Sequence, residues 1–220
     1  MLHKHAREQL VAMAHRFVKE RLATGTGGNL SIAVGDDLCI TPSAVPFSDL
    51  LPEMISVISR QDGSIVDGKY KPSSEWELHL RALEVTGAKA AVHTHSVAAT
   101  AVSCLSGVDV IPPFHYYMQI LGGPVRVTEY ARYGTPLLAE RAAKALVDRT
   151  ACLLGNHGAI TCDDTLAGAF DKAVELEWLC DMYLRLRAAG EPRILPQSAL
   201  AEVQASLATY VQPELVAKNY

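Results

Sequence analysis

Ala90-Ala91-Val92-His93-Thr94-His95-Ser96 reads as a buried β-strand that carries two imidazoles two positions apart. Side chains alternate faces along a strand, so His93 and His95 point the same way, close enough to share one metal ion. A lone buried histidine is satisfied by a backbone carbonyl, but a same-face pair in an apolar strand is costly without a cation. Pro72-Ser73-Ser74-Glu75 stands upstream and Gly155-Asn156-His157-Gly158 downstream. Two histidines on a strand, a third from a distant turn and an unpaired carboxylate point to an open catalytic zinc site, and therefore to an enzyme. Three imidazoles would also accept manganese or cobalt.

The rest of the composition narrows the setting. At 220 residues the chain has room for one substantial core, and a single domain over 1–220 is expected, with no repeat or linker to divide it. A hydrophobic share of 49% with 20% charged residues suits a compact soluble protein. The net charge of −4 and the scattered basic residues argue against a nucleic-acid or anionic-membrane surface. Five widely spaced cysteines without a C-x-x-C pair read as reduced, mostly buried packing residues. The charged N-terminal stretch lacks the apolar block of a signal peptide, and residues 90–108, although free of Asp, Glu, Lys and Arg, contain two histidines and many small polar residues. A cytoplasmic location is the expectation.

Periodicity predicts an amphipathic helix over 2–22 that buries Leu2, Ala6, Leu10, Met13, Ala14, Phe17 and Val18. Short strands follow near 29–34, 37–41 and 55–59, with an Asp62-Gly63 turn. A helix over 74–86 takes Ser74 as its N-cap, and the histidine strand, 89–95, leads into a small-residue helix over 97–104. Strands near 125–128, 151–155 and 158–162 alternate with helices over 135–148, 165–189 and 198–209; the long helix buries Ala169, Ala173, Leu176, Leu179 and Leu184. Strands arrive singly and in hairpins, without a regular βα repeat. The expected fold is therefore an α/β/α sandwich with a mixed, largely antiparallel sheet, and neither a TIM barrel nor a Rossmann fold.

Three donor-rich turns accompany the metal motif. Gly25, Gly27 and Gly28 precede a strand instead of following one, so neither a dinucleotide fingerprint nor a Walker loop is present. Such a cluster is either a plain tight turn or, with Thr26 and Asn29, a nest of neutral donors for a phosphate. Thr41-Pro42-Ser43-Ala44 and Ser73-Ser74 add further small donors, the latter at a helix start that favours an anion. Together the turns suit one phosphate held by neutral hydrogen bonds. Glu75 admits three readings: a solvated helix residue, a fourth metal ligand or an acid/base. His3, His5 and His15 read as solvated and His79 as packing. Tyr116 and Tyr117 are either core aromatics or, near a cation, proton-exchanging phenols.

With GTGGNLS, ITPSAVP, PSSEWELH, AVHTHS, HYYM followed by Gly122-Gly123, YARYGT and GNHG in order, the chain resembles the class II aldolase/adducin family, on its L-fuculose-1-phosphate aldolase-like branch. The resemblance runs from the first helix to about Tyr210. It implies a homotetramer with active sites between subunits, Zn²⁺ on His93, His95 and His157, and Glu75 as proton shuttle and resting-state ligand. It also implies a phosphate among Thr26, Gly28, Asn29, Ser43, Ala44, Ser73 and Ser74. Tyr116 would come from the neighbouring subunit to handle the aldehyde-oxygen proton, and Tyr133 and Tyr210 would line the aldehyde pocket. The implied reaction is cleavage of a ketose 1-phosphate to dihydroxyacetone phosphate and a short aldehyde. The alternatives are a decarboxylase of a 3-oxo-tetronate 4-phosphate, a pentulose-phosphate 4-epimerase (that branch carries Asp at the place of Glu75), a methylthioribulose-phosphate dehydratase, and a non-catalytic adducin-type module. One departure stands out: the family commonly has T-P-[ST]-G where this chain has Ala44, a strained substitution if the backbone there takes a positive φ.

Overall fold

The computed structural model describes residues 1–23 and 25–207. Its centre is a nine-stranded sheet in the order β4-β3-β2-β1-β5-β9-β8-β7-β6. The strands are β1 (Asn29–Val34), β2 (Asp37–Ile40), β3 (Ser56–Ser59), β4 (Ile65–Asp67), β5 (Ala90–Thr94), β6 (Val110–Ile111), β7 (Val125–Val127), β8 (Ala151–Leu154) and β9 (Gly158–Asp163). Among the described strands only β7 and β8 pair in parallel; every other neighbouring pair is antiparallel, as the hairpin-rich sequence predicts. The helices are α1 (Lys4–Lys19), α2 (Trp76–Thr86), α3 (Val97–Ser103), α4 (Pro136–Leu146), α5 (Leu166–Ala189) and α6 (Gln197–Leu207). None of them is long and apolar enough to cross a membrane.

Alternation along the central strands sorts the core into two faces. On β5, Ala90 and Val92 pack with α1 and α5, whereas Ala91 packs with α2 and α4. On β9, Ala159 joins α3 and α5, while Ile160 and Cys162 face α2 and α4. The result is a three-layer α/β/α sandwich: α1, α3 and α5 on one side, α2 and α4 on the other. The same alternation carries His93 and His95 to the α2 side. Phe17 of α1 anchors the first layer, with its ring edge-on to Phe47 at 5.0 Å and near Phe170 of α5 at 6.3 Å. Truncating so buried a phenylalanine costs roughly 3–5 kcal/mol.

Several local expectations change. Arg7 is buried on the apolar side of α1, where its guanidinium donates to the carbonyls of Leu2, Pro52 and Ile55 and pairs with Asp67 at 2.6 Å. These bonds clamp α1 to the β3–β4 edge, because a buried guanidinium requires acceptors for its N–H groups. Leu2 is exposed because α1 starts only at Lys4, and Val18, within the last turn of α1, is exposed as well. His3 is not simply solvated: it precedes α1 and its Nε2 lies 2.8 Å from Asp37. On α5, Tyr183 takes the buried place expected of Leu184. Four cysteines are buried and Cys104 is exposed.

Ser74 is not the cap of α2. The helix begins two residues later with Glu75 in the N-cap position. The reason is tertiary: a bridge between Pro42 and Pro72, and a bond from Ser73 N to Thr41 O, hold the preceding segment extended. The chain then turns, with the Ser73 hydroxyl accepting from Glu75 N at 3.2 Å.

Candidate active site

The site forms where β5 ends. Its register sets His93 opposite Asn29 of β1 and Ile160 of β9, in the middle of the sheet. The β8–β9 hairpin then folds its turn, residues 155–157, over the end of β5. Gly158 allows this approach, because a Cβ there would sit 2.1 Å from Thr94 O. Gly28 lets the glycine turn come equally close from the other side: its φ is +85° and a Cβ would lie 2.7 Å from His93 O. His95 is held by its backbone N–H, which donates to Leu22 O at 3.1 Å. Just beyond it, the Glu177 carboxylate accepts from Ala98 N and Ala99 N at 2.7 and 2.8 Å and so pins the first turn of α3.

Three imidazoles converge on this point. The Nε2 atoms of His93 and His95 are 2.9 Å apart, and those of His95 and His157 are 3.1 Å apart. Each pair of rings has centroids 4.8 Å apart and meets nearly edge-on. Glu75 closes the group, with Oε2 at 3.2 Å from His93 Nε2 and Oε1 at 3.4 Å from His157 Nε2. The four ligand-type atoms all lie within 4.8 Å of one another.

The donor chemistry fits a divalent cation. Nδ1 of His93 lies 2.8 Å from Ala159 O, and a carbonyl only accepts, so the ring proton sits on Nδ1. In the neutral ring Nε2 then offers its lone pair to the cluster. Burial first, and then the positive charge favoured on His93, push His95 down to about 3 and His157 to about 4, so both are neutral lone-pair donors at pH 7. Without a cation, burial opposes ionisation of Glu75. Yet a His93 protonated on Nε2 as well, through its charge and its hydrogen bond, and then the Asn29 amide hold its carboxyl well below the usual range. A cation on Nε2 would take the place of that proton. His93 shifts the other way: burial disfavours its charge, but Glu75 outweighs this and raises it. Glu75 Oε1 is buried and accepts no hydrogen bond among the described residues, as an oxygen awaiting a cation or a proton would be.

Beside this cluster opens a cavity of about 540 Å³, lined by Thr26, Gly27, Gly28, Asn29, Pro42, Ser43, Ala44, Ser73, Ser74, Glu75, His95, Tyr130, Ala131, Tyr133, Asn156 and His157. All seven residues of the expected phosphate set line it, and among the described residues no lysine or arginine does. Ala44 has φ +58°, so the strain expected of alanine is present in this loop. The side chain of Asn29 is not simply a free phosphate donor: its amide bonds Glu75 and His79. Tyr133 stands at the rim with Tyr130, which sequence reasoning passed over although it lies in the same YARYGT segment. Asn156, in the GNHG turn, was likewise missed. Tyr116 lines a different cavity, with Tyr117, Ile120 and Glu175, and does not meet Glu75 within the chain. Tyr210 lies outside the described residues.

This arrangement has the equipment to bind a phosphate ester by neutral donors, to hold a Lewis-acidic cation beside it, and to move a proton on Glu75. Known proteins resemble the chain along most of its length. The chain is 39% identical over 206 residues to a 5-methylthioribulose-1-phosphate/5-deoxyribulose-1-phosphate aldolase of Rhodospirillum rubrum, covering 93% of this chain and 91% of that one. It is 34% identical over 217 residues to a 5-deoxy-D-ribulose 1-phosphate aldolase of Bacillus thuringiensis, covering 96% and 100%. A solved L-fuculose 1-phosphate aldolase superposes with a TM-score of 0.88 at 34% identity, covering 93% and 96% of the two chains. Residues 8–184 match the family described as Class II Aldolase and Adducin N-terminal domain, and the chain belongs to that family.

Proposed function

We propose that this protein is a class II aldolase that reversibly cleaves a ketose 1-phosphate into dihydroxyacetone phosphate and a short aldehyde. The observation that carries the reading is the convergence of three imidazole Nε2 atoms and a buried carboxylate on one wall of a neutral, hydroxyl-lined cavity. The relatives named above act on ketose 1-phosphates, two of them 5-deoxy sugars, which favours a substrate whose aldehyde end is apolar. L-Fuculose 1-phosphate, itself a deoxy ketose, belongs to the same class.

His93, His95 and His157 would hold Zn²⁺, or Mn²⁺ or Co²⁺ in its place, with Glu75 as a further ligand when substrate is absent. The cation, when bound, supplies a Lewis acid for the ketose oxygens and offsets the negative charge left on the three-carbon fragment. The phosphate sits among Thr26, Gly28, Asn29, Ser43, Ala44, Ser73 and Ser74, held by N–H and O–H donors without a formal charge. In the cleavage direction a base takes the proton of the C4 hydroxyl, the C3–C4 pair stays on C3, and the aldehyde leaves. Glu75 then delivers a proton to C3, so the protein gains and loses one proton overall. Tyr116 serves as that base, and its place in a separate cavity of its own chain requires a second copy to supply it. A homotetramer with sites between subunits meets this requirement. Tyr133, with Tyr130 beside it, borders the aldehyde.

Two measurements test the reading. Incubation with L-fuculose 1-phosphate and 5-deoxyribulose 1-phosphate should release aldehyde; a chelator should abolish this and Zn²⁺ restore it. Release of CO₂ from a 3-oxo-tetronate 4-phosphate, with no aldehyde from either ketose, would replace the aldolase by a decarboxylase. Second, Glu75→Gln should still bind zinc but lose about 10²–10⁴-fold in exchange of the dihydroxyacetone phosphate C–H proton, the scale of positioned acid–base catalysis. Unchanged exchange would remove Glu75 from the chemistry.

A further inference from the structure

Behind Glu75 runs a buried row of polar side chains that reaches across two elements. Asn29, at the start of β1, donates from Nδ2 to Glu75 Oε2 at 2.9 Å. Its Oδ1 lies 2.5 Å from Nε2 of His79, on α2. Nδ1 of His79 in turn lies 2.6 Å from Ser31 Oγ, two residues along β1 from Asn29 and on the same face. Exposure is 0% at Ser31 and His79, 5% at Asn29 and 6% at Glu75, so bulk water does not compete for these groups.

Valence then dictates where each proton lies. An ionised carboxylate oxygen only accepts, so Asn29 turns its NH₂ to Glu75 and its oxygen to His79. An amide oxygen only accepts as well, so His79 carries its proton on Nε2. In the neutral ring Nδ1 is therefore an acceptor, and the Ser31 hydroxyl must donate to it. All three bonds run one way: Ser31 to His79, His79 to Asn29, Asn29 to Glu75. Aligned bonds polarise one another in a low-dielectric interior, and their donor end meets the carboxylate. A phenylalanine would fill the space of His79 equally well but would leave Asn29 Oδ1 buried without a donor.

We propose that His79 is a positioning residue for Glu75: through Asn29, and supported by Ser31, it pins Oε2 and leaves Oε1 as the oxygen that carries the proton. Oε1 supports this division, since it accepts no hydrogen bond among the described residues while Oε2 is bonded. The chain explains why a histidine on the buried side of α2 is more than packing. Its catalytic consequence rests on the reading that Glu75 moves the substrate proton; its geometry does not.

Two arms test it. In metal-free protein, ¹⁵N NMR of the His79 ring, assigned by its loss in His79→Gln, should show Nε2 protonated and Nδ1 bare. A ring protonated on Nδ1, or on both nitrogens, overturns the chain. In zinc-loaded protein, His79→Phe should lower kcat for C–H exchange roughly 10- to 100-fold, the range of outer-shell substitutions, with KM little changed. His79→Gln, whose side-chain N–H reaches the place of Nε2–H, should recover most of kcat. Wild-type kcat in folded His79→Phe overturns the proposal, and so does a loss that His79→Gln fails to recover. Should His79→Phe not fold, His79→Gln and the tautomer decide the matter. If the wild type exchanges no substrate proton, the functional reading has failed, and the tautomer alone upholds or overturns the chain.

Discussion

The two ends of the cavity are built on different principles. At the metal end, every side chain comes from a strand or the residue just past it, a two-strand hairpin or a helix start, and His93 is wholly buried. The His93 ring donates from Nδ1 to Ala159 O, and His95 N and His157 N donate to Leu22 O and Leu154 O, which fixes each histidine from behind. The end proposed for the phosphate consists of three turns, 25–29, 42–44 and 73–74, that present small groups and tolerate strain, as the left-handed Ala44 shows. The rigid end can place a charge to a fraction of an ångström; the turn-built end offers many weak donors whose sum matters more than any one. Loss of a single group should therefore be severe at the first end and graded at the second.

The largest effect should follow His95→Ala. Removing one of three imidazoles takes away the Lewis acid's seat, a loss of several kcal/mol and so roughly three orders of magnitude or more in kcat/KM. Zinc content of the purified variant and its residual cleavage rate check this together. Near-wild-type zinc and rate would mean that the metal end is not the rigid half.

Ser73→Ala probes the opposite end. Its hydroxyl accepts from Glu75 N and lines the cavity. A lost hydrogen bond to a charged group costs about 1.5–3 kcal/mol, so KM for the phosphorylated substrate should rise roughly 10- to 100-fold with zinc retained. A fall in zinc content instead would show the two ends to be coupled through Glu75.

Acidification should weaken the metal end of the zinc-free protein selectively. His95 and His157 are held at about 3 and about 4, below their ordinary 6.5. Between those values the unfolded chain binds protons that the folded chain refuses, so stability falls as pH drops from about 6.5. His93, raised by Glu75, has the opposite sign: its contribution is present below 6.5 and fades as pH rises through its higher folded value. His79 behind the cluster, lowered to about 3 by burial, adds a third ring of the same sign, so three lowered rings against one raised ring leave a net loss on the acid side. Thermal midpoints from pH 7 to pH 4 should therefore drop more steeply in the zinc-free wild type than in His95→Ala, which lacks one of the lowered rings.

The smallest effect belongs to Ala44→Gly. A left-handed alanine stores about 1–2 kcal/mol relative to glycine, offset in part by glycine's greater unfolded-state freedom. The variant should melt a few degrees higher and bind phosphate at least as well, whereas Ala44→Val should be clearly worse on both counts. A destabilised Ala44→Gly would show that the turn-built end is stiffer than its loops suggest.

Much of this was legible in the sequence where the signal was local. The alternation around His93 and His95 foretold their shared face, and the apolar spacing of α1 and α5 foretold their buried sides. The cap of α2 misled because Ser74 followed by Glu75 and Trp76 carries a helix-start pattern, while a bridge to Pro42, thirty residues upstream, keeps the chain extended. His79 misled for a related reason: on its helix it looks like packing, and its partners belong to β1.

The sequence by itself determined the sheet-and-helix alternation, the pairing of two imidazoles on one strand face and the supply of small neutral donors, since each depends on residue type and a short repeat. The GNHG and PSSE motifs already named His157 and Glu75 as partners of that pair, and the fold brings them to it. Tertiary structure alone decided the spacing at which the four meet, that Tyr116 stands apart from Glu75 in its own chain, and that Ser31, His79 and Asn29 form one directed row. Those outcomes hinge on sheet order and register, which bring distant residues within hydrogen-bond reach, and hydrogen-bond reach has no counterpart in spacing along the chain.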